Sequence, residues 1–238
     1  MLATLLLAIA SSSVRPELVE GRPTAARSGR PSTSSGRTGE ELQTAVDAER
    51  AFAADAQTMG QWAAFRKWAT ADAIMFLPQP ARMQEATKTW PEPKQAVQWR
   101  PARSFVSCDG TLAANTGPWR QPNGSVGYFS TIWAKQPAGG WKWRIDGGDQ
   151  VSTPKFDWDA APVVRRASCG GTPVPMVHPA PRGKGDLGYS PDRTLWWRYD
   201  VSPVGGREFV VGLWNGAGYD TVIHDMIAAP PPRPAAKP

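Results

Sequence analysis

Residues 98–150 read QWRPARSFVSCDGTLAANTGPWRQPNGSVGYFSTIWAKQPAGGWKWRIDGGDQ. Four apolar-rich runs, 98–107, 111–120, 125–135 and 141–150, are separated at Cys108-Asp109-Gly110, Gln121-Pro122-Asn123-Gly124 and Gln136-Pro137-Ala138-Gly139-Gly140. Asp-Gly, Asn-Gly and Gly-Gly are favoured hairpin turns because their central residues take positive φ at low cost. The third run alternates Tyr128, Ser130 and Ile132 against Phe129, Thr131 and Trp133, and the fourth alternates Trp141, Trp143 and Ile145 against Lys142, Arg144 and Asp146. Period two with one apolar face predicts an antiparallel meander covered on one side. On that parity Asp146 is expected to face solvent or a partner subunit.

The cover lies upstream. Residues 40–59 place Leu42, Val46, Phe52, Ala53 and Ala56 at spacings compatible with one helix face, and Gly60 ends the element. Residues 61–68 carry Trp62, Phe65 and Trp68 as a narrow aromatic stripe on a second short helix. Residues 70–78 read as a strand stopped by Pro78, and 79–97 as an irregular crossing broken by Pro80, Pro91 and Pro93, with one helical turn at 86–90. The fold class expected is α+β: a curved antiparallel sheet packed on N-terminal helices, with a small C-terminal β-meander added.

This order of elements, together with Ala48-Glu-Arg-Ala-Phe52, Phe65 to Phe76, Thr116-Gly-Pro-Trp119, Gly127-Tyr-Phe-Ser-Thr-Ile-Trp133 and Gly140-Trp-Lys-Trp-Arg-Ile-Asp146, resembles the nuclear-transport-factor-2-like superfamily in its SnoaL-like branch. The resemblance spans residues 41–150. It implies a cone-shaped domain with a pocket at its open end, dimerisation through the outer sheet face, and in the enzymes of the family an Asp or His acid/base, sometimes with a Tyr oxyanion donor.

The chain departs from that pattern, because no His occurs between residues 41 and 150. The remaining acid/base candidates are Asp72, Asp146 and Asp149, with Tyr128 as donor. Trp62, Trp99, Trp119, Tyr128, Trp133 and Trp143 are the aromatic groups available to line a pocket or to fill a core. His178 and His224 lie outside the domain, in no nucleophile context. The two Cys and two His have no ligand spacing, so neither a metal nor a cofactor is expected. Cys108 and Cys169 either pair, as an exported protein allows, or remain a buried small hydrophobe and a loop thiol.

The termini read differently from the centre. Residues 1–10 are apolar and end Ala8-Ile9-Ala10, a small-x-small cleavage signature without the usual basic region, which points to export to the periplasm or beyond. Residues 11–39 are a low-complexity segment expected to be disordered. Val14 to Arg22 and Arg30 to Thr38 are encodable by the two arms of one inverted DNA repeat, similar to the palindromic elements of some bacterial genomes; non-complementary arms in the gene would discard that reading. Residues 40–151 form the expected domain, 152–183 a Pro/Gly-rich linker, 184–227 a β-meander docking on the domain, and 228–238 a Pro-rich tail.

Composition narrows the function. Of the net charge of +6, half falls in residues 1–38, and the other 200 residues carry 22 basic against 19 acidic groups with no basic stripe. That excludes a phosphate-binding surface, so no nucleic-acid partner is expected, and no run reaches the length of a membrane span. Eight of the twelve Trp lie between Trp62 and Trp143, which calls for a large core or an aromatic cavity there. The function expected is binding of a small apolar ligand or a protein partner in or around the cone. The alternatives are a lyase or isomerase using a cone carboxylate, and a dimeric interaction module whose pocket is filled.

Overall fold

The computed structural model describes residues 44–231 apart from 175, 177, 180 and 182. The expected signal segment, the low-complexity stretch, the start of the first helix and residues 232–238 of the tail lie outside them. Helix α1 (Ala45–Met59) begins at Thr44, whose Oγ1 accepts from Asp47 N at 3.1 Å and donates to Asp47 Oδ2 at 2.6 Å. It buries Ala45, Ala48, Phe52 and Ala56. After Gly60, α2 (Gln61–Trp68) has its first N–H groups capped from the distant crossing: Trp62 N and Ala63 N each donate to the Glu92 carboxylate at 2.8 Å. Gln61 Oε1 accepts from Val97 N at 3.0 Å, so the irregular crossing is pinned to this helix at both places.

Strands β1 (Ala69–Leu77) and β2 (Gln79–Arg82) form a tight hairpin, followed by α3 (Met83–Ala86). The helical turn expected at 86–90 thus falls earlier, because Met83 is fully buried and Thr87 closes the turn back onto its carbonyl. The meander follows as β3 (Gln98–Trp99), β4 (Arg103–Val106), β5 (Leu112–Arg120), β6 (Val126–Lys135) and β7 (Trp141–Val151). Then β8 (Val163–Arg166), inside the expected linker, pairs parallel with β4 at the sheet edge. The eight-stranded sheet runs β2-β1-β7-β6-β5-β4-β8, with β3 also on β5; β1 joins β7 in parallel.

The C-terminal strands β9 (Lys184–Tyr189), β10 (Leu195–Val201), β11 (Arg207–Trp214) and β12 (Tyr219–Ile227) make a separate antiparallel sheet in the order β12-β11-β10-β9. It neither extends the first sheet nor stands alone. Leu195, Trp197, Tyr199, Phe209, Val211 and Leu213 pack with Phe105, Leu112, Ala114, Ile132 and Ile145 of the first sheet in one apolar cluster. Ser130 Oγ donates to Asp225 at 2.7 Å across the interface, Cys108 N donates to Thr194 Oγ1 at 2.7 Å, and a Cys108–Cys169 disulfide ties the β4–β5 turn to the segment after β8.

The expectation of a sheet covered on one side is therefore corrected. The alternation is present, but Tyr128, Ser130 and Ile132 are as buried as Phe129, Thr131 and Trp133, because a second sheet covers the face opposite the helices. The face on which the family resemblance implies a dimer is occupied by this chain's own C-terminal strands.

Candidate functional site

The helix-facing side is incompletely filled. Ala48, Phe52, Ala56, Ala64 and Trp68 from the helices pack on Ala113, Phe129, Trp133, Trp141 and Trp143 from the sheet. Phe52 is the hub, with ring centroids of Phe65 and Trp99 at 4.8 and 4.7 Å, both edge-on. Toward the far end of β7 this packing opens into a cavity of about 590 Å³, a size ordinary for small-molecule sites. Phe52, Trp62, Phe65, Met75, Phe76, Val97, Trp99, Trp119 and Phe129 form its apolar wall; Asp146, Asp149, Gln150, Gln61, Gln121 and Arg207 form its polar end. Trp119 lies over Gly127, where a Cβ would come within 2.2 Å of the indole, and donates from Nε1 to Tyr128 O at 3.0 Å.

Asp146 reaches this cavity through a defect in the strand. Ile132 and Trp133 of β6 face Ile145 and Trp143 of β7, which leaves Arg144 as an extra residue, a β-bulge. The bulge reverses the parity of everything after it. Trp141 and Trp143 face the helices, Ile145 faces the second sheet, and Asp146 turns back to the helix side. The expectation that Asp146 faces solvent or a partner subunit is corrected on this ground. Its Oδ1 accepts from Thr131 Oγ1 at 2.7 Å, and burial pushes its carboxyl up to about 6, with the Thr131 hydroxyl and the Arg207 charge pulling the other way.

Beneath the wall sits a carboxyl that sequence reading did not single out. Glu49 of α1 is fully buried and accepts from Trp133 Nε1 at 2.7 Å, Trp99 Nε1 at 2.8 Å and Asn115 Nδ2 at 3.2 Å. Burial pushes it up to about 7, and the two indole donors are the main groups opposing that; the neighbouring Asp146 charge raises it further. An acidic residue three positions from Val46 and from Phe52, on the apolar face of the helix, is the signal that could have found it. Its position accounts for a structural task, satisfying two buried indole N–H groups, one of which belongs to the cavity wall.

The other candidates are divided. Trp62, Trp99 and Trp119 stand in the wall, whereas Trp133 and Trp143 are buried in the core beneath it. Tyr128 is on the opposite face of β6, toward the second sheet, with the Lys155 ammonium 3.4 Å from its ring centroid; it is not in the cavity wall. Burial and the Asp225 and Asp149 charges raise its phenol. Asp149 borders the cavity and is half-buried, but it pairs with Tyr128 across β6 and β7 and so lies on that residue's face rather than on Asp146's, and Asp72 is exposed on β1 with Arg144 Nη2 at 3.4 Å. His178 meets Tyr189 Oη at 3.1 Å and His224 meets Glu208 at 2.8 Å, both away from the cavity. Among the described residues no group of three His, Cys, Asp or Glu side chains could hold a metal ion, and no helix is long and apolar enough to cross a membrane.

No protein-family model matches the chain, and comparison with curated proteins gives no match in sequence. Six chains of solved structures are similar to it, among them the following three. A protein of Parabacteroides distasonis provisionally named a ketosteroid isomerase aligns with a TM-score of 0.39 at 14% identity, over 48% of this chain and 94% of its own. One from Novosphingobium aromaticivorans, provisionally named an aromatic ring hydroxylase, gives 0.35 at 17% over 45% and 86%. One from Shewanella frigidimarina, provisionally named a ketosteroid isomerase, gives 0.32 at 17% over 43% and 92%.

Proposed function

We propose that the protein is an exported binder of a small, mostly apolar molecule, held between the helix pair and the eight-stranded sheet. One observation carries this reading: a cavity of about 590 Å³ with an aromatic wall and the Asp146 carboxyl group in its lining. A dimeric module with a filled pocket does not fit a space of that size. The Cys108–Cys169 disulfide supports the exported part, since such bonds persist in oxidising compartments. Trp62, Trp99 and Trp119 in the wall are built-in reporters. Titration with a broad panel of hydrophobic ligands is expected to give a saturable change in Trp fluorescence, and a panel without any such change counts against the reading.

A second reading is proton transfer on the bound molecule, as in a lyase or isomerase. It is favoured by Asp146, whose carboxyl near 6 is poised to hold or release a proton around neutrality. Tyr128 cannot serve as its partner from the opposite face. Deuterium exchange into α-positions of small ketones in D₂O separates the two: exchange that depends on Asp146 supports catalysis, and its absence leaves binding alone.

A further inference from the structure

The second sheet contributes a side chain to the cavity of the first. Arg207, the first residue of β11, lays its guanidinium 4.5 Å from the Phe76 ring centroid, and its Nη2 donates to Gly148 O at 2.6 Å. Gly147 leaves room for the Phe76 ring on which the guanidinium rests: a Cβ there would stand 2.8 Å from that ring. Arg207 then forms part of the polar end of the cavity beside Asp146 and Asp149.

A guanidinium has five N–H donors and stays charged. Among the described residues this one makes a single side-chain hydrogen bond, to Gly148 O, and no ion pair. Burial lowers its pKa, and the Tyr128, Asp149, Asp225 and Asp146 groups raise it. The unused N–H groups are not sealed from solvent, so an acceptor that a ligand brings into the cavity can take the place of water on them. The local charge decides which kind. Asp146 faces this space, and the Asp149 and Asp225 charges act on the guanidinium as well, so its positive charge is already opposed by carboxylates; an anionic ligand would be repelled by them, whereas a neutral oxygen would gain the donors without that repulsion.

We propose that Arg207 is a specificity-determining residue of the cavity, that its ligand is an uncharged, mostly hydrocarbon molecule with a hydrogen-bond-accepting oxygen, and that the C-terminal sheet is thereby part of the binding site. This rests on the reading of the cavity as a ligand site. The test is equilibrium dialysis of the full chain and its Arg207→Gln and Arg207→Lys variants against 2-acetylnaphthalene, 2-ethylnaphthalene and 2-naphthoate, which differ only at the polar group. Wild type should bind the ketone about tenfold more tightly than the hydrocarbon, as expected for one good hydrogen bond, and the carboxylate most weakly. Arg207→Gln should lose the ketone preference and keep its affinity for the hydrocarbon. If that variant does not fold, Arg207→Lys should still show a ketone-to-hydrocarbon ratio reduced several-fold. A variant with the wild-type ratio overturns the assignment of Arg207, and a wild type that prefers the carboxylate overturns the uncharged ligand class, each leaving the ligand-site reading intact; a wild type that binds none of the three overturns the ligand-site reading and this proposal with it.

Discussion

One face of β5, β6 and β7 is closed by a second sheet and the other by two helices, and the two closures differ in what they leave. The sheet lays a continuous row of Leu195, Trp197, Tyr199 and Val201 against Ile132 and Ile145, and that cluster is packed throughout. The helices present an aromatic stripe that ends before the strands do, so the last residues of β7, Asp146 to Gln150, border open space. Strands of one alternating pattern thus present one packed face and one that borders a cavity. The two meet at the Arg144 bulge and the Gly147-Gly148 pair, where a carboxyl turns into the cavity and an arginine enters from behind.

The largest expected effect contrasts the two faces directly. Trp197→Ala, in the packed cluster, should cost about 3–5 kcal/mol of stability, and Trp62→Ala, in the half-buried cavity wall, about 1 kcal/mol while weakening ligand binding. Urea denaturation of both variants measures it, and equal costs would erase the distinction between a packed and an open face.

Next in size is the carboxyl under the wall. Glu49 has its folded value raised from 4.5 to about 7, so the folded state holds its proton longer than the unfolded chain does. Its contribution is fully present below pH 4.5 and lost as pH rises through about 7, a fall of up to about 3 kcal/mol. Glu49→Gln should flatten that part of the stability–pH curve; parallel curves for variant and wild type would remove Glu49 as its cause.

Asp146 should behave likewise on a smaller scale. Its value is raised from 3.8 to about 6, so Asp146→Asn should be more stable than wild type by about 1–3 kcal/mol at pH 8 and no different below pH 3.8. The same variant should lose any proton transfer on a bound ketone. Stabilisation gained together with loss of function would mark the cost of keeping a charge at the polar end. Smallest is Gly147→Ala, whose methyl would push on Phe76, the ring under the Arg207 guanidinium: about 1 kcal/mol of stability, with a fall in affinity for 2-acetylnaphthalene larger than for 2-ethylnaphthalene.

Much of this architecture is legible in the chain because its cues are local. The aromatic stripe of α2, the Asn-Gly and Gly-Gly turns and the alternation in β6 each specify their own element. What is not legible depends on counting across strands. A bulge adds one residue to one strand, leaves no mark in hydropathy, and inverts the direction of Asp146. Tyr128 fails as a cavity residue for the complementary reason: its parity is regular, but the face it points to is covered by strands some sixty or more residues later in the chain. Arg207 carries no local signal, since its contacts, the Phe76 ring and the Gly148 carbonyl, lie on another sheet. Glu49 has a local signal, an acid on an apolar helix face, that the reading of the sequence passed over; its partners, two indoles on distant strands, have none.

The most direct test of the account is the titration of Asp146 itself, followed by carbon-13 NMR of its carboxyl group and assigned with Asp146→Asn. A cavity-facing carboxyl beside an apolar wall predicts a midpoint near 6 that moves when 2-acetylnaphthalene is added. A midpoint at the ordinary value of 3.8, unmoved by any ligand of the panel, would contradict it.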